Sequence, residues 1–353
     1  MRKMRCAVLA MLLITALLGG EAFAADKVET SGGWVKDWKE LEKQIKHYTD
    51  VCAKEFTLSL YNTITRKINE DFDCFSETVQ QNGVLRCQFS AVNSGALHKV
   101  TFFPEYYPGK KCAYAYASGN TDILSEDEKQ LLDRALEIAS TFGGTEEETV
   151  RQINDYICNT VSHYQEGPEA VSTAADALIG GEAVCSGYAD AFYLLCSLKG
   201  IDAAYIPGKY VNGDYAHMWN AVRLDDKWYM LDAESADRDG TICYMDFLVG
   251  TDMMASRCVW SAELPMEISR EPFARTENPF IEVGDWDDVM TAANSAFANR
   301  LERLSLSGLD FKSGMADLTG ILTSLDKTER TDVQIIYGSD RCEIIFYYPS
   351  AAF

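Results

Sequence analysis

The segment from residue 180 to residue 233 combines one apolar helix with two short strands, and this order restricts the fold more than any other part of the sequence. Gly180-Gly181 breaks the preceding segment, and an apolar run with helical spacing then leads from Cys185 to Gly200. Strand-like runs follow at residues 216–224 and 228–233. This order of one helix and two neighbouring strands indicates mixed α and β structure.

The turn between the two predicted strands decides which side chains share a face. If Asp225-Asp226 forms a two-residue turn, His217 falls opposite Glu234, and Asp232 becomes its diagonal neighbour on the same face. Such a diagonal separates the backbones by about 7–8 Å, which an imidazole and a carboxylate can span. A three-residue loop without a bulge would place the two side chains on opposite faces. We therefore predict a two-residue turn and a contact between His217 and Asp232.

Cys185 opens the predicted helix. The first turn of a helix presents unpaired backbone N–H groups and the positive end of the helix dipole, which favour a thiolate. The same N–H groups can hold a developing oxyanion. A cysteine, a histidine and an aspartate thus follow one another in the order that an acyl-transferring thiol needs.

Three ordered motifs carry a resemblance to a known family. Cys-x-Gly-Tyr-Ala occurs at 185–189, His-x-Trp-Asn at 217–220, and Trp-Tyr-x-x-Asp at 228–232. Over about residues 125–240 the chain resembles the transglutaminase-like superfamily, in particular its bacterial, protease-like branch. The resemblance implies a papain-like core, in which the helix that carries the nucleophile packs on an antiparallel sheet. It also implies that the protein is an enzyme.

The same resemblance implies a role for each of the three residues. Cys185 would be the nucleophile, His217 the general base and acid, and Asp232 the group that orients the imidazole. One departure concerns the residues after the aspartate, where the family commonly has Pro-Thr-Trp and this chain has Ala233-Glu234-Ser235. We expect this change to alter the acceptor side of the cleft. Tyr164 and Trp219 are candidate substrate-binding residues, with packing in the core as the alternative for both.

The implied reaction is cysteine-dependent acyl transfer on amide bonds through a thioester. We favour hydrolysis of a protein or peptide by a peptidase or amidase. The alternatives are a transglutaminase that crosslinks proteins and a catalytically inactive scaffold that binds peptide or cell-wall material. No cofactor is expected, and no metal is assigned, because the sequence lacks a C-x-x-C pair or a Cys/His cluster with zinc spacing.

The N-terminus has the pattern of a secretory signal peptide. Arg2, Lys3 and Arg5 precede an apolar run from Ala7 to Leu18, and Ala22-Phe23-Ala24 is a cleavage site of the A-x-A type. We therefore predict a secreted, extracellular protein whose signal peptide, residues 1–24, is cleaved after Ala24. The formal net charge of −22 argues against binding to nucleic acid or to anionic membranes. The expected partner is a protein or peptide substrate.

The remaining sequence divides into a central domain and two flanking modules. We place an N-terminal α+β module at 25–120, the transglutaminase-like domain at 121–275 and a C-terminal α+β module at 276–353. Leu304-Ser305-Leu306 matches Leu58-Ser59-Leu60, and helices and strands follow in a similar order in both flanks. A duplicated module is the favoured interpretation, and chance similarity is the alternative. Both modules are candidate binders of protein or cell-wall material.

Two further predictions concern the central domain. Ser125-Glu126-Asp127-Glu128 and Thr145-Glu146-Glu147-Glu148 have the form of a capping box, so each should begin a helix. Export would permit disulfides, but the cysteine spacing assigns no partners. Cys196 lies eleven residues after Cys185, nearly on the same helix face, and is predicted to be a buried core thiol.

Overall fold

The computed structural model shows an α+β protein, as the sequence predicts. It describes residues 34–164, 171–211, 213, 215–238, 241–270, 272–273, 280–299, 301, 303–325, 332–337 and 341–347. The predicted signal peptide lies outside these residues. Large hydrophobic cores form in the N-terminal, central and C-terminal segments. None of the helices in the described ranges has the length and apolar character needed to cross a membrane.

The N-terminal module packs three helices on a three-stranded sheet. Its elements are α1 (Trp38–Asp50), β1 (Phe56–Tyr61), α2 (Asn62–Glu70), α3 (Phe72–Gln80), β2 (Val84–Ser94) and β3 (Leu97–Tyr106). The strands are antiparallel in the order β1-β3-β2. Leu41, Ile45 and Tyr48 turn one face of α1 into the core, as their helical spacing predicts.

The sequence at about 63–81 predicts one helical stretch, whereas the structure contains two helices there, α2 and α3. The division falls at Asp71, whose φ of −132° and ψ of 68° are not helical. Its side chain accepts a hydrogen bond from the Cys74 N–H at 3.2 Å, so it caps a new helix. Apolar periodicity alone does not reveal this break, because both helices bury residues against the same sheet.

The central segment surrounds one buried helix with other helices and with a four-stranded sheet. Its elements are α4 (Pro108–Ser118), a 3₁₀ turn (Thr121–Ile123), α5 (Glu126–Ala139), α6 (Glu146–Thr160), β4 (Ser162–His163), a π-helical turn (Asp176–Gly180), β5 (Glu182–Ala183), α7 (Cys185–Leu198), β6 (Ala203–Tyr210), β7 (Ala216–Leu224), β8 (Lys227–Leu231), α8 (Ala233–Ala236), β9 (Asp237–Arg238), β10 (Thr241–Ile242), α9 (Thr251–Met254) and β11 (Cys258–Val259). Both predicted capping boxes are present at the starts of α5 and α6. The sheet has the order β11-β6-β7-β8, and α7 packs against it.

The tyrosine-containing run at 112–116 predicts a strand from its residue types, whereas the structure places it in α4. Pro108 stands at the start of this helix, and Gly119 ends it in the left-handed conformation with φ of 69°. Cys112 and Ala115 are both fully buried at 0% exposure, one helical turn apart, in the core of the central segment. Tertiary packing therefore overrides the strand preference of the tyrosines in this run. The domain boundary at residue 120 stays a prediction. Helix α4 precedes this boundary in the chain, but it packs against the helices of the central segment.

The hairpin between β7 and β8 has the predicted turn. Asp225 and Asp226 both have positive φ, at 49° and 61°, as a two-residue type I′ turn requires. Leu224 consequently pairs with Lys227. This register sets the face on which His217 lies relative to the residues that follow β8.

In its described ranges the C-terminal segment combines two helices with a four-stranded sheet. Its elements are β12 (Phe280–Glu282), α10 (Trp286–Ala298), β13 (Arg303–Ser307), α11 (Met315–Ser324), β14 (Asp332–Tyr337) and β15 (Arg341–Tyr347). The order is β12-β13-β15-β14, with β12 parallel to β13. In the N-terminal sheet, Val35 forms a parallel bridge to Leu60 of β1, which corresponds to the pairing of β12 with β13. The matched Leu-Ser-Leu triplets lie in β1 and β13, which are equivalent strands; duplication itself stays a prediction.

A buried carboxylate joins α7 to its neighbours. Asp190 Oδ2 accepts hydrogen bonds from the N–H groups of Gly109 at 3.1 Å and Ala174 at 2.7 Å. Its Oδ1 accepts one from the Tyr205 hydroxyl at 2.8 Å. Burial raises the pKa of Asp190 to about 6, while these three donors act in the opposite direction. The carboxylate thereby connects α7 with α4, with β6 and with the loop before the π-helical turn.

Asp190→Ala should lower the free energy of unfolding by about 3–5 kcal/mol, because it leaves two buried N–H groups and a buried hydroxyl without an acceptor. Urea denaturation followed by circular dichroism measures this loss. Asp133→Ala on the exposed side of α5 is the matched control and should change stability by less than about 0.5 kcal/mol. An Asp190→Ala loss below about 1 kcal/mol would contradict the connecting role.

Candidate active site

Cys185 is the first residue of α7, as its place after the glycine pair predicts. Val184 precedes it in extended conformation and caps the helix without a side-chain hydrogen bond. The N–H groups of Gly187 and Tyr188 both donate to the Val184 carbonyl and form the first hydrogen bonds of the helix. The N–H groups of Cys185 and Ser186 therefore lie before the first helical hydrogen bond. A Cβ at Gly187 would lie 2.7 Å from the Ala183 Cβ, which explains glycine here. The half-buried thiol thus lies at the N-terminus of α7, where the backbone N–H groups of Cys185 and Ser186 are available as donors.

His217 and Asp232 form a buried pair. His217 lies on β7, and Asp232 follows β8 as the N-cap of α8. His217 Nε2 is 2.6 Å from Asp232 Oδ2, and the residues are 4% and 3% exposed. The second carboxylate oxygen, Oδ1, accepts the N–H of Ser235 at 3.0 Å. Because both oxygens are engaged, the carboxylate is fixed in orientation and fixes the imidazole in turn.

One nitrogen of the imidazole remains for the thiol. Since Nε2 contacts Asp232, Nδ1 is the atom on the side of Cys185. Ligand atoms of Cys185, His217 and Glu234 all lie within 4.8 Å of one another. The thiol on α7, the imidazole on β7 and the carboxylate that follows β8 therefore lie together at one site.

Aromatic rings hold the imidazole in place. The Tyr210 ring stacks on His217 with centroids 4.1 Å apart and an angle of 23° between the planes. Trp219 lies 5.8 Å from His217 at 24°. Only 1% of Trp219 is exposed, so its side chain packs beside the imidazole and offers no surface to a substrate. The core alternative for Trp219 therefore fits its position, and direct contact with substrate does not.

The altered residues after Asp232 place a second carboxylate at the thiol. Glu234 Oε2 lies 3.5 Å from His217 Nδ1, and its Oε1 lies 2.9 Å from His163 Nδ1. The side chain of Glu234 is 14% exposed and that of His163 is 46% exposed. In the sequence, Glu234 is both a departure from the family pattern and the residue opposite His217 in the predicted register, and His163 carries no pattern that indicates a partner. The position opposite His217 was the signal that could have identified Glu234 as part of the site.

Charge within the site favours the protonated imidazole. Burial alone lowers the pKa of His217, but the charge of Asp232 and hydrogen bonds to Asp232 and Cys185 raise it well above its ordinary value. Burial likewise opposes ionisation of Asp232, yet the charge of His217 and the bonds to His217 and Ser235 lower the pKa of this carboxyl. His217 and Asp232 therefore form a buried ion pair, with the positive charge on the ring beside Cys185.

The backbone of Tyr164 is hydrogen-bonded to Ala183, two residues before Cys185. Its N–H donates to the Ala183 carbonyl at 2.9 Å, and its side chain is half-buried. This bond continues the short parallel pairing of β4 with β5, which ends two residues before Cys185. Contact of Tyr164 with substrate stays a prediction.

The other cysteines differ from Cys185 in their surroundings. All ten cysteines in the described ranges are free thiols, and Cys196 is 0% exposed, as predicted for a core residue. Burial raises the pKa of Cys112, Cys258 and Cys342 to about 12. These thiols are therefore poor nucleophiles at neutral pH.

Comparison with known proteins identifies the segment that carries this site. Residues 136–233 match the family model described as the transglutaminase-like superfamily. Kyphoscoliosis peptidase from Homo sapiens is 29% identical over 103 residues, which are 25% of this chain and 16% of the human protein. The Mus musculus protein is 28% identical over 100 residues, or 24% of this chain and 15% of its own. The chain thus spans less than a fifth of the length of these curated relatives.

Two solved structures show weaker similarity. The crystal structure of a TGase has 15% identity and a TM-score of 0.28, with 51% of each chain covered. The periplasmic domain of TgpA from Pseudomonas aeruginosa has 16% identity and a TM-score of 0.27, with 39% of this chain and 53% of that chain covered. At such scores neither structure supports an inference about this chain. The family match, together with the helix-and-hairpin arrangement just described, identifies residues 136–233 as a domain of the transglutaminase-like superfamily.

Proposed function

We propose that this protein is a secreted cysteine peptidase or amidase that cleaves amide bonds through a thioester. One observation carries the proposal. Cys185 lies at the N-terminus of α7 next to His217, and the imidazole of His217 contacts Asp232 through its other nitrogen. The relatives named as peptidases add support, although they match only about a quarter of this chain. Export rests on the N-terminal sequence pattern.

The proposed reaction begins with attack of the Cys185 thiolate on an amide carbonyl carbon. The N–H groups of Cys185 and Ser186 ahead of the α7 ladder are candidates to receive the oxyanion. The His217 imidazolium gives its proton to the nitrogen as the C–N bond breaks, and an amine leaves. His217 then takes a proton from water, whose oxygen attacks the thioester carbonyl. The acid is released, and the thiol is restored.

Crosslinking of proteins is the second candidate function. The same thioester would then react with a primary amine instead of water, so the three residues permit both outcomes. Hydrolysis is favoured for a secreted protein whose sequence contains no other recognisable catalytic motif. The altered segment after Asp232 also puts Glu234 Oε2 3.5 Å from His217 Nδ1.

Released ammonia and released amines should be measured with casein, glutamine peptides and peptidoglycan stem peptides, each with and without an added primary amine. We expect new amine termini from one substrate class, at a rate that the added amine does not raise. Incorporation of the amine into product in preference to water would favour the crosslinking function. Equal rates for wild type and Cys185→Ala on every substrate would favour the inactive scaffold.

The flanking modules are proposed to bind the protein or cell-wall material that carries the substrate. The strand order β1-β3-β2 of the N-terminal sheet recurs as β13-β15-β14 in the C-terminal sheet, which adds β12 at its edge, so a common binding mode is the simplest form of this proposal. Pull-down of insoluble cell-wall material by the whole chain, with the central activity removed by Cys185→Ala, tests it. Equal recovery with and without this material would exclude such binding.

A further inference from the structure

We propose that the catalytic thiol belongs to a zinc site in which Cys185, His217 and Glu234 are the ligands. One ligand atom from each of the three lies within 4.8 Å of the other two, and the His217 to Glu234 distance is 3.5 Å. Tetrahedral Zn²⁺ holds sulfur at about 2.3 Å and nitrogen or oxygen at about 2.0–2.2 Å, so small side-chain movements close this set around one ion. The proposal depends on geometry and therefore holds for an active or an inactive protein.

The partners of His217 prepare it to act as a ligand. Metal-bound imidazoles usually donate the other ring N–H to a carboxylate, which fixes the tautomer and the ring plane. Asp232 occupies this position, 2.6 Å from Nε2, and leaves the Nδ1 side to the proposed ion. Tyr210 also stacks on the ring at 4.1 Å and restricts its rotation.

Glu234 has an equivalent supporting partner. Its Oε1 lies 2.9 Å from His163 Nδ1, while its Oε2 faces His217. One oxygen is thereby held by a neighbour and the other is aimed at the thiol–imidazole pair. The carboxylate is 14% exposed, so it is restrained by packing as well. Each of the two non-sulfur ligands thus has its own second contact.

The donor set selects the kind of metal. A thiolate and an imidazole suit Zn²⁺, whereas Ca²⁺ and Mg²⁺ prefer oxygen ligands. Two anionic ligands balance the charge of a divalent ion. Three protein ligands leave one tetrahedral position open to water. Coordination breaks the Nδ1–H bond of a protonated His217 and sends that proton to solvent; if Cys185 starts as a thiol, its S–H proton passes to solvent as well.

Zinc binding should block the proposed acyl transfer. The ion would occupy the sulfur that attacks the carbonyl and the nitrogen that moves the proton. This consequence rests on the proposed function, whereas binding of the metal does not. Zinc would then act as a reversible inhibitor, and removal of the ion would release the thiol.

Zinc titration of the purified, reduced chain by calorimetry tests the site without any substrate. We expect one Zn²⁺ per chain at the tightest site and slower alkylation of Cys185 by iodoacetamide when zinc is bound. Cys185→Ser and Glu234→Gln should each weaken this site by more than tenfold, because each removes a ligand or its charge. His163→Gln should weaken it by roughly 10–100-fold, as loss of an outer partner does.

Two matched controls separate this site from other thiols and carboxylates. Cys87→Ser changes a half-buried cysteine of the N-terminal sheet, and Glu126→Gln changes an exposed carboxylate of α5; both should bind zinc like wild type. Undiminished affinity in Cys185→Ser or in Glu234→Gln would overturn the proposal. Zinc binding by a chain that shows no amidase activity even in its metal-free form would uphold the site and refute the function, and activity without zinc binding would do the reverse.

Discussion

Cys185→Ala should abolish amide cleavage, with a loss of turnover on the order of 10⁴–10⁶-fold, because no other group can form the thioester. The half-buried position of Cys185 at the start of α7 means that the smaller side chain leaves the helix intact. Thermal unfolding should therefore shift little. Turnover of the peptide substrate found in the assay, together with the melting temperature, provides both measurements.

Cys87→Ala is the matched control, since Cys87 is also half-buried but lies in the N-terminal sheet. It should retain the turnover of wild type. Cleavage by Cys185→Ala at more than about a hundredth of the wild-type rate would refute the assignment of the nucleophile, because the reaction would then not need the thiol.

Asp232→Asn should lower turnover by about 10⁴-fold, the effect expected when the imidazole takes the wrong tautomer. Asp232 uses one oxygen for His217 and the other for the Ser235 N–H. Asparagine has only one acceptor atom. If its oxygen faces Ser235, its NH₂ group meets Nε2 and forces the ring proton to Nδ1, toward the thiol. If its oxygen faces His217, the NH₂ group opposes the Ser235 N–H.

Measurements on Asp232→Asn should include turnover and alkylation of Cys185, because loss of the imidazolium slows both while global unfolding would instead expose all thiols. Asp202→Asn, an exposed member of an ion pair with Arg223, is the matched control and should leave both rates unchanged. Turnover of Asp232→Asn within tenfold of wild type would show that the carboxylate charge is not required.

Short-range rules predicted much of the site correctly. The glycine pair and the helical spacing placed Cys185 at the start of α7, and the two-residue turn set the strand register. From that register alone, His217 and Asp232 were expected on one face, and they are in contact at 2.6 Å. These predictions succeeded because helix termini and hairpin parity depend on neighbouring residues.

Other features required contacts between segments distant in the chain. The run at 112–116 became helical because it packs against α7, and its strand-like tyrosines could not indicate this. His163 approached Glu234 only through the pairing of β4 with β5, each two residues long. Such short pairings leave almost no periodic signal in a sequence.

The sequence by itself determined the α+β class, the elements that carry Cys185, His217 and Asp232, and the face that the last two share, because local periodicity and turn length govern these features. Only the tertiary structure decided that Trp219 is sealed behind the imidazole and that Glu234, held by His163, faces the thiol. Burial and side-chain partners depend on how separate elements pack, and that packing is absent from any local pattern.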